Sequence, residues 1–139
     1  MAELKHPIRE AERYLQNARQ ILSERAEKEG DYYNDRKYVR MAGNTAWNGL
    51  LIALDSVLHM GTHLKKGQRP EFKDYQEAIA KKDKKMTRPL LGAYESLHKA
   101  MGYDGNPVYT VVQSSLEQAK IIVEWADKQY QQIYPPMAQ

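Results

Sequence analysis

The sequence contains no cysteine, which removes disulfides, thiolate zinc sites and cysteine nucleophiles together. Glycine and proline supply only 8 and 6 of its 139 residues, too few for a collagen-like or low-complexity chain. The longest unbroken apolar run covers residues 50–54, far short of a membrane span. No charged start followed by an apolar stretch and a small-residue cleavage site marks a secretory signal. The expectation is therefore a cytoplasmic chain with no membrane partner. GxSxG, GxxxxGKS/T and GxGxxG are all absent, so neither a serine-nucleophile elbow nor a phosphate-cradling loop is announced.

What is present fits one compact domain over residues 1–139, with 42% hydrophobic and 28% charged residues. That length closes a single core without crosslinks or metals. The net charge of +3 is unevenly placed. Between residues 65 and 88, nine lysines and arginines face four acids, a local excess of +5, while the remainder is slightly acidic. Such a run is either a solvated helix face or a surface for an anionic partner, RNA or an acidic protein.

Apolar spacing is helical nearly everywhere, and no stretch alternates as a half-buried strand would. Pro7 suits a first helical turn because its missing N–H would have been unpaired there. Ile8, Ala11, Leu15, Ala18, Leu22 and Ala26 then recur at three- and four-residue steps up to Gly30, predicting a helix over 7–29. A second helix is predicted over 35–60, capped by Asp35. It is apolar around most of its circumference and therefore central. Gly43 and Gly49 inside it each cost about 1 kcal/mol relative to alanine, so close approach of neighbouring helices is expected there. Phe72, Tyr75, Ile79, Met86, Leu90, Tyr94, Leu97 and Met101 keep one helical phase over 71–101. One helix kinked at Pro89 and two helices broken near Thr87 both fit, with the kink slightly preferred. A turn at 102–106 precedes a last helix over 107–133, starting at Pro107 behind an Asn106 cap. The fold class that follows is all-α, an antiparallel up-and-down bundle of four or five helices.

Lys37, Arg40, Asn44, Asn48, Asp55 and His59 fall within an arc of about 100 degrees on the second helix, interrupted by Leu51. This stripe is either the solvent side of that helix or a groove between helices. In the groove reading, the candidate ligand-binding residues are Arg40, Asn44, Trp47, Asn48, Asp55 and His59. Asn44 and Asn48 would hydrogen-bond a ligand, Asp55 would orient His59, and Trp47, Tyr32, Tyr33 and Tyr38 would wall the space. Asp55, His59 and His63 are spaced i, i+4, i+8, a pattern that a continuous helix would offer to one metal. Without an HExxH glutamate or a second ligand cluster, neither metal nor other cofactor is assigned. His98 reads as a boundary residue or a base. Ten tyrosines against one phenylalanine suit half-exposed rings on a thin bundle and equally a protein interface.

Glu12, Arg13, Tyr14, Leu15, Gln16, Asn17 and Ala18, then residues 32–40 leading into Ala42, Gly43, Asn44, Thr45, Ala46 and Trp47, and the apolar run to Leu58, resemble the first half of the HEPN superfamily of small bacterial helical domains. They also resemble a group of short stand-alone bacterial proteins of this layout. Many HEPN members are metal-independent ribonucleases that dimerise around an Arg-x4-6-His motif near the final helix, often paired with nucleotidyltransferases as toxins. This chain departs from that motif. None of His6, His59, His63 and His98 has an arginine five to seven positions before it, and the last helix holds no histidine. The resemblance thus implies a bundle, homodimerisation and a binding role, and transfers no catalytic residue.

The leading expectation is a non-enzymatic helical binding module, homodimeric and with a protein partner. The alternative is a nucleic-acid-directed protein, a divergent or inactive HEPN-type ribonuclease or a toxin–antitoxin component, using Lys81, Lys82, Lys84, Lys85 and Arg88 on RNA phosphates. A third is a metal-dependent small-molecule enzyme built on Asp55, His59 and His63.

Overall fold

The computed structural model describes residues 6–60 and 67–136. Gly61, Thr62, His63, Lys65 and Lys66 lie outside the described residues. The described part is an all-α helical bundle of five helices with one minimal β ribbon.

Helix α1 runs Pro7–Arg25 with proline at its first position, and the His6 imidazole caps it by accepting from the Ile8 N–H at 3.2 Å. The helix stops four residues before the predicted end. Glu27 adopts a left-handed φ of 56°, and the chain reverses through strands β1 (Lys28–Glu29) and β2 (Tyr32–Tyr33). Gly30, at φ 60°, takes the first position of the two-residue loop, where a type II′ hairpin needs glycine. It therefore turns a hairpin and does not end a helix. This ribbon is tied to the start of the last helix: Tyr33 N–H donates to Pro107 O and Tyr109 N–H to Asp31 O, both at 2.8 Å.

Helix α2, Arg36–Leu58, begins behind Asp35, whose carboxylate accepts from Lys37 N–H at 3.1 Å. It is the central element, packing against α1, the later helices and the chain between them. Both of its glycines are points of close approach, Gly43 to Met101, Gly102 and Leu97, and Gly49 to Tyr14 and Ala11. Leu50 and Leu54 are wholly buried, each stabilising by about 1.5–3 kcal/mol.

Of the two readings of 71–101, the slightly preferred helix kinked at Pro89 does not hold: the segment is broken, at Asp83, a few residues before Thr87. Helix α3, Phe72–Lys82, ends at Asp83, which leaves the helical region at φ −157°. A 3-10 turn, Lys84–Met86, leads into α4, Thr87–Ala93. Pro89 sits in the first turn of α4, where its missing N–H costs nothing, so it starts a helix and kinks none. From Tyr94 to Tyr103 the winding widens to a π-helix. Helix α5, Tyr109–Ile133, begins two residues later than predicted because Val108 is extended and bridges Tyr32. Asn106 still caps the turn, accepting from Val108 N–H at 3.0 Å. The core lies between α2, the π stretch and α5, around Leu54, Leu97, Met101, Leu116 and Ile122.

Candidate functional site

The polar stripe on α2 does not form one groove. At its N-terminal end Arg40 donates from Nε to Tyr103 O at 3.2 Å and from Nη2 to Asp104 O at 3.5 Å. Asn44 Nδ2 donates to Gly102 O at 3.4 Å. Both side chains thereby satisfy carbonyls left open at the end of the π-helix, and the arginine charge suits the negative pole of a helix C-terminus. Trp47 is buried, facing Tyr94 edge-on at 5.5 Å and lying near Phe72 and His98. Phe72 and Tyr94 stack at 3.8 Å with planes 8° apart, and Tyr94 stacks on His98 at 5.2 Å. Trp47 and His98 therefore belong to an aromatic cluster that joins α2, α3 and the π stretch. Asn48 is exposed. Tyr32, Tyr33 and Tyr38, expected as walls, belong to the hairpin and the first turn of α2, at the end of the bundle held by Arg40.

Asp55 and His59 stand apart from these, at the other end of α2. His59 is not a helical residue: it is the C-cap of α2, in the left-handed region at φ 53° and ψ 51°. Helical arithmetic fails there, and with it the Asp55–His59–His63 spacing. His63 lies outside the described residues, and among those described no three His, Asp or Glu side chains converge as a metal set. Asp55 takes a partner that spacing did not reveal. The buried Tyr75 of α3 donates its hydroxyl to Asp55 Oδ1 at 2.7 Å. Burial holds the Asp55 carboxyl above its usual range, an effect the Tyr75 hydrogen bond partly offsets. Burial, reinforced by the neighbouring carboxylate, pushes Tyr75 upward as well.

Asp55 and His59 line an open cleft of about 480 Å³ with Pro7, Ile52, Ser56, Tyr130 and Tyr134. His6 lies against Tyr130 at 4.5 Å, and Tyr130 against Tyr134 at 4.8 Å. Tyr75, Tyr130 and Tyr134 are the site residues that sequence reasoning missed. The first two were legible only as core positions of their helices.

The raised Asp55 gives a sign for pH dependence. Its folded form holds the proton more tightly than the unfolded chain does, so this group's contribution to stability is complete below the unfolded pKa. It is lost as pH rises through the folded value. Asp55→Asn, which keeps an oxygen for Tyr75, is expected to melt at or above the parent temperature at neutral pH. The difference should close as pH falls below about 4. Thermal melts by circular dichroism across that range decide it; a less stable variant at neutral pH would mean that the carboxylate has a charged partner.

The basic turn is the second candidate. Lys81, Lys82, Lys84, Lys85 and Arg88 are all exposed, and among the described residues none of them forms an ion pair. The acid in their midst, Asp83, is already engaged: Oδ1 accepts from Lys85 N–H at 3.1 Å and Oδ2 from the Trp125 indole N–H at 3.0 Å. The bond to Trp125 pins the turn to α5.

A family profile described as "Domain of unknown function (DUF5618)" matches residues 6–128. Among solved structures, the chain is similar to a protein of unknown function from Dyadobacter fermentans. The two are 38% identical, with 88% of this chain and 93% of that one covered, at a TM-score of 0.77. Among curated proteins nothing matches. Neither the profile nor the solved neighbour is described as a HEPN protein.

Proposed function

This chain belongs to the DUF5618 family, and on that premise we propose that it is a non-enzymatic binding module whose working surface is the basic turn and whose partner is RNA. The observation that supports this reading is the set of five exposed cations, unpaired among the described residues and displayed on a turn held by the Asp83–Trp125 hydrogen bond. Cations that stabilise the fold are commonly paired; these are left to solvent at a fixed place. Phosphate oxygens spaced along a single strand suit such a display, and neutralising them releases counterions.

The test is filter binding of single-stranded RNA at several salt concentrations. Five phosphate contacts predict that log affinity falls against log salt with a slope of about −3.5. Replacing the five cations with glutamine should flatten that slope toward zero while the melting curve stays close to the parent's. Absence of binding at low salt overturns the reading, as does a five-site variant that binds like the parent. Poly-aspartate competing as well as RNA would move the partner to an acidic protein. Self-association, the other part of the sequence expectation, would use the end of the bundle where Tyr32, Met41 and the 80% exposed Tyr103 face solvent. Sedimentation of the free chain reads it in the same samples.

A further inference from the structure

Asp55, an exposed residue of α2, lines this cleft. Tyr75 occupies one of its oxygens, and among the described residues no lysine or arginine pairs with the carboxylate. A partly desolvated carboxylate without a cation attracts one. The cleft around it restricts which. Pro7 and Ile52 add apolar lining, and among the described residues no lysine or arginine lines it. Tyr130 and Tyr134 stand 4.8 Å apart with planes tilted by 43°, and the His6 ring lies 4.5 Å from Tyr130. A hard divalent metal needs six or more oxygen ligands or retained waters, whereas this cleft presents one carboxylate among rings. An organic cation needs less: one negative charge and aromatic faces, with apolar surface for its methyl or methylene groups.

We infer that the Asp55 cleft binds an alkylammonium cation, with Asp55 as counter-ion and Tyr130 and Tyr134 as aromatic walls. The cleft opens at the bundle surface, so the rest of such a ligand would run outward past His59 and Tyr134. This site is separate from the basic turn and stands or falls independently of the RNA reading.

The experiment is a 1H–15N correlation titration of the whole chain with choline and, separately, ethanolamine, against sodium chloride at matched ionic strength. Saturable shifts at the amides of the cleft are expected, centred on Asp55, Ser56, Tyr130 and Tyr134. Choline binding more tightly would identify a quaternary headgroup held by the rings, and ethanolamine binding more tightly a primary amine held by hydrogen bonds. Asp55→Asn should weaken either by about tenfold or more, the usual cost of losing a hydrogen-bonded charge. Tyr134→Ala, at an exposed position, should weaken choline more than ethanolamine. The inference is overturned if shifts match those from sodium chloride, if Asp55→Asn binds as the parent does, or if the uncharged tert-butyl analogue of choline binds equally well. Asp55→Asn should bind RNA unchanged, which keeps the two proposals distinguishable.

Discussion

Gly43→Ala is expected to lower the melting temperature by about 6–8 °C or more, although alanine favours an isolated helix by about 1 kcal/mol. A Cβ at position 43 would lie 2.5 Å from Met101 Cβ, 2.7 Å from Gly102 N and 2.8 Å from Leu97 O. Two of those three atoms are backbone, so no rotamer change relieves the overlap; α2 and the π stretch would have to separate. Overpacking costs about 1–3 kcal/mol where side chains can adjust and more where they cannot, which leaves a net loss of about 2 kcal/mol after the propensity gain. Separation would also lengthen the Asn44 to Gly102 hydrogen bond, already 3.4 Å, one residue further along α2. Gly92→Ala is the control. The three atoms nearest its new Cβ all belong to the side-chain amide of Gln118, the first 3.2 Å away, and that side chain can swing aside. Its melting temperature should hold or rise. Equal effects at the two positions would show that the α2 contact yields more readily than packed backbone should.

That contact was legible in the sequence, because a glycine inside an apolar helix has a cost that close packing offsets. So were the Asp35 cap, the apolar phases of the helices and a turn before the last helix, though Gly102 and Tyr103, predicted in that turn, belong to the π stretch. The hairpin was not: two-residue strands are too short to alternate, and Lys28, Glu29, Tyr32 and Tyr33 carry no period. The break at Asp83 was hidden for a different reason. Met86 keeps the helical phase of Ile79 with Lys82 or Asp83 in the missing turn, and what ends α3 is a carboxylate held by an indole 42 residues away in sequence. The π winding had no signal at all, since apolar spacing does not separate i→i+4 from i→i+5 bonding over ten residues. The α2 stripe failed as a single site because a helical wheel gives direction and not partners. Arg40 and Asn44 face in the expected direction, but their partners are backbone carbonyls near residue 103. Asp55 kept its interest through a tyrosine on another helix, and His59 left the wheel altogether when α2 ended at Leu58.

Asp83→Ala is expected to affect both stability and binding, in a way that separates charge from shape. The substitution removes the acceptor for Lys85 N–H and the acceptor for the Trp125 indole. A lost cap costs about 1 kcal/mol, and a lost hydrogen bond to a charged group about 1.5–3 kcal/mol when buried. Because Asp83 and Trp125 are only half-buried, the sum should stay near 2 kcal/mol, a fall of about 6–8 °C. For RNA, two consequences oppose each other. The turn over residues 81–88 loses its one acid, and its charge rises from +4 to +5, which favours phosphate by a fraction of a kcal/mol through solvent and salt. The same turn loses the bond that fixes it to α5, and each residue that must be ordered again on binding costs about 1–2 kcal/mol. The second effect is larger, so affinity should fall about tenfold despite the added positive charge, while the slope against salt stays unchanged. Asp83→Asn should fall between: its oxygen can still cap Lys85 N–H, but its amide nitrogen offers nothing to the Trp125 N–H. Affinity that rises in Asp83→Ala would instead mean that the five cations act as a loose cloud, and that the hydrogen bond to Trp125 serves only the fold.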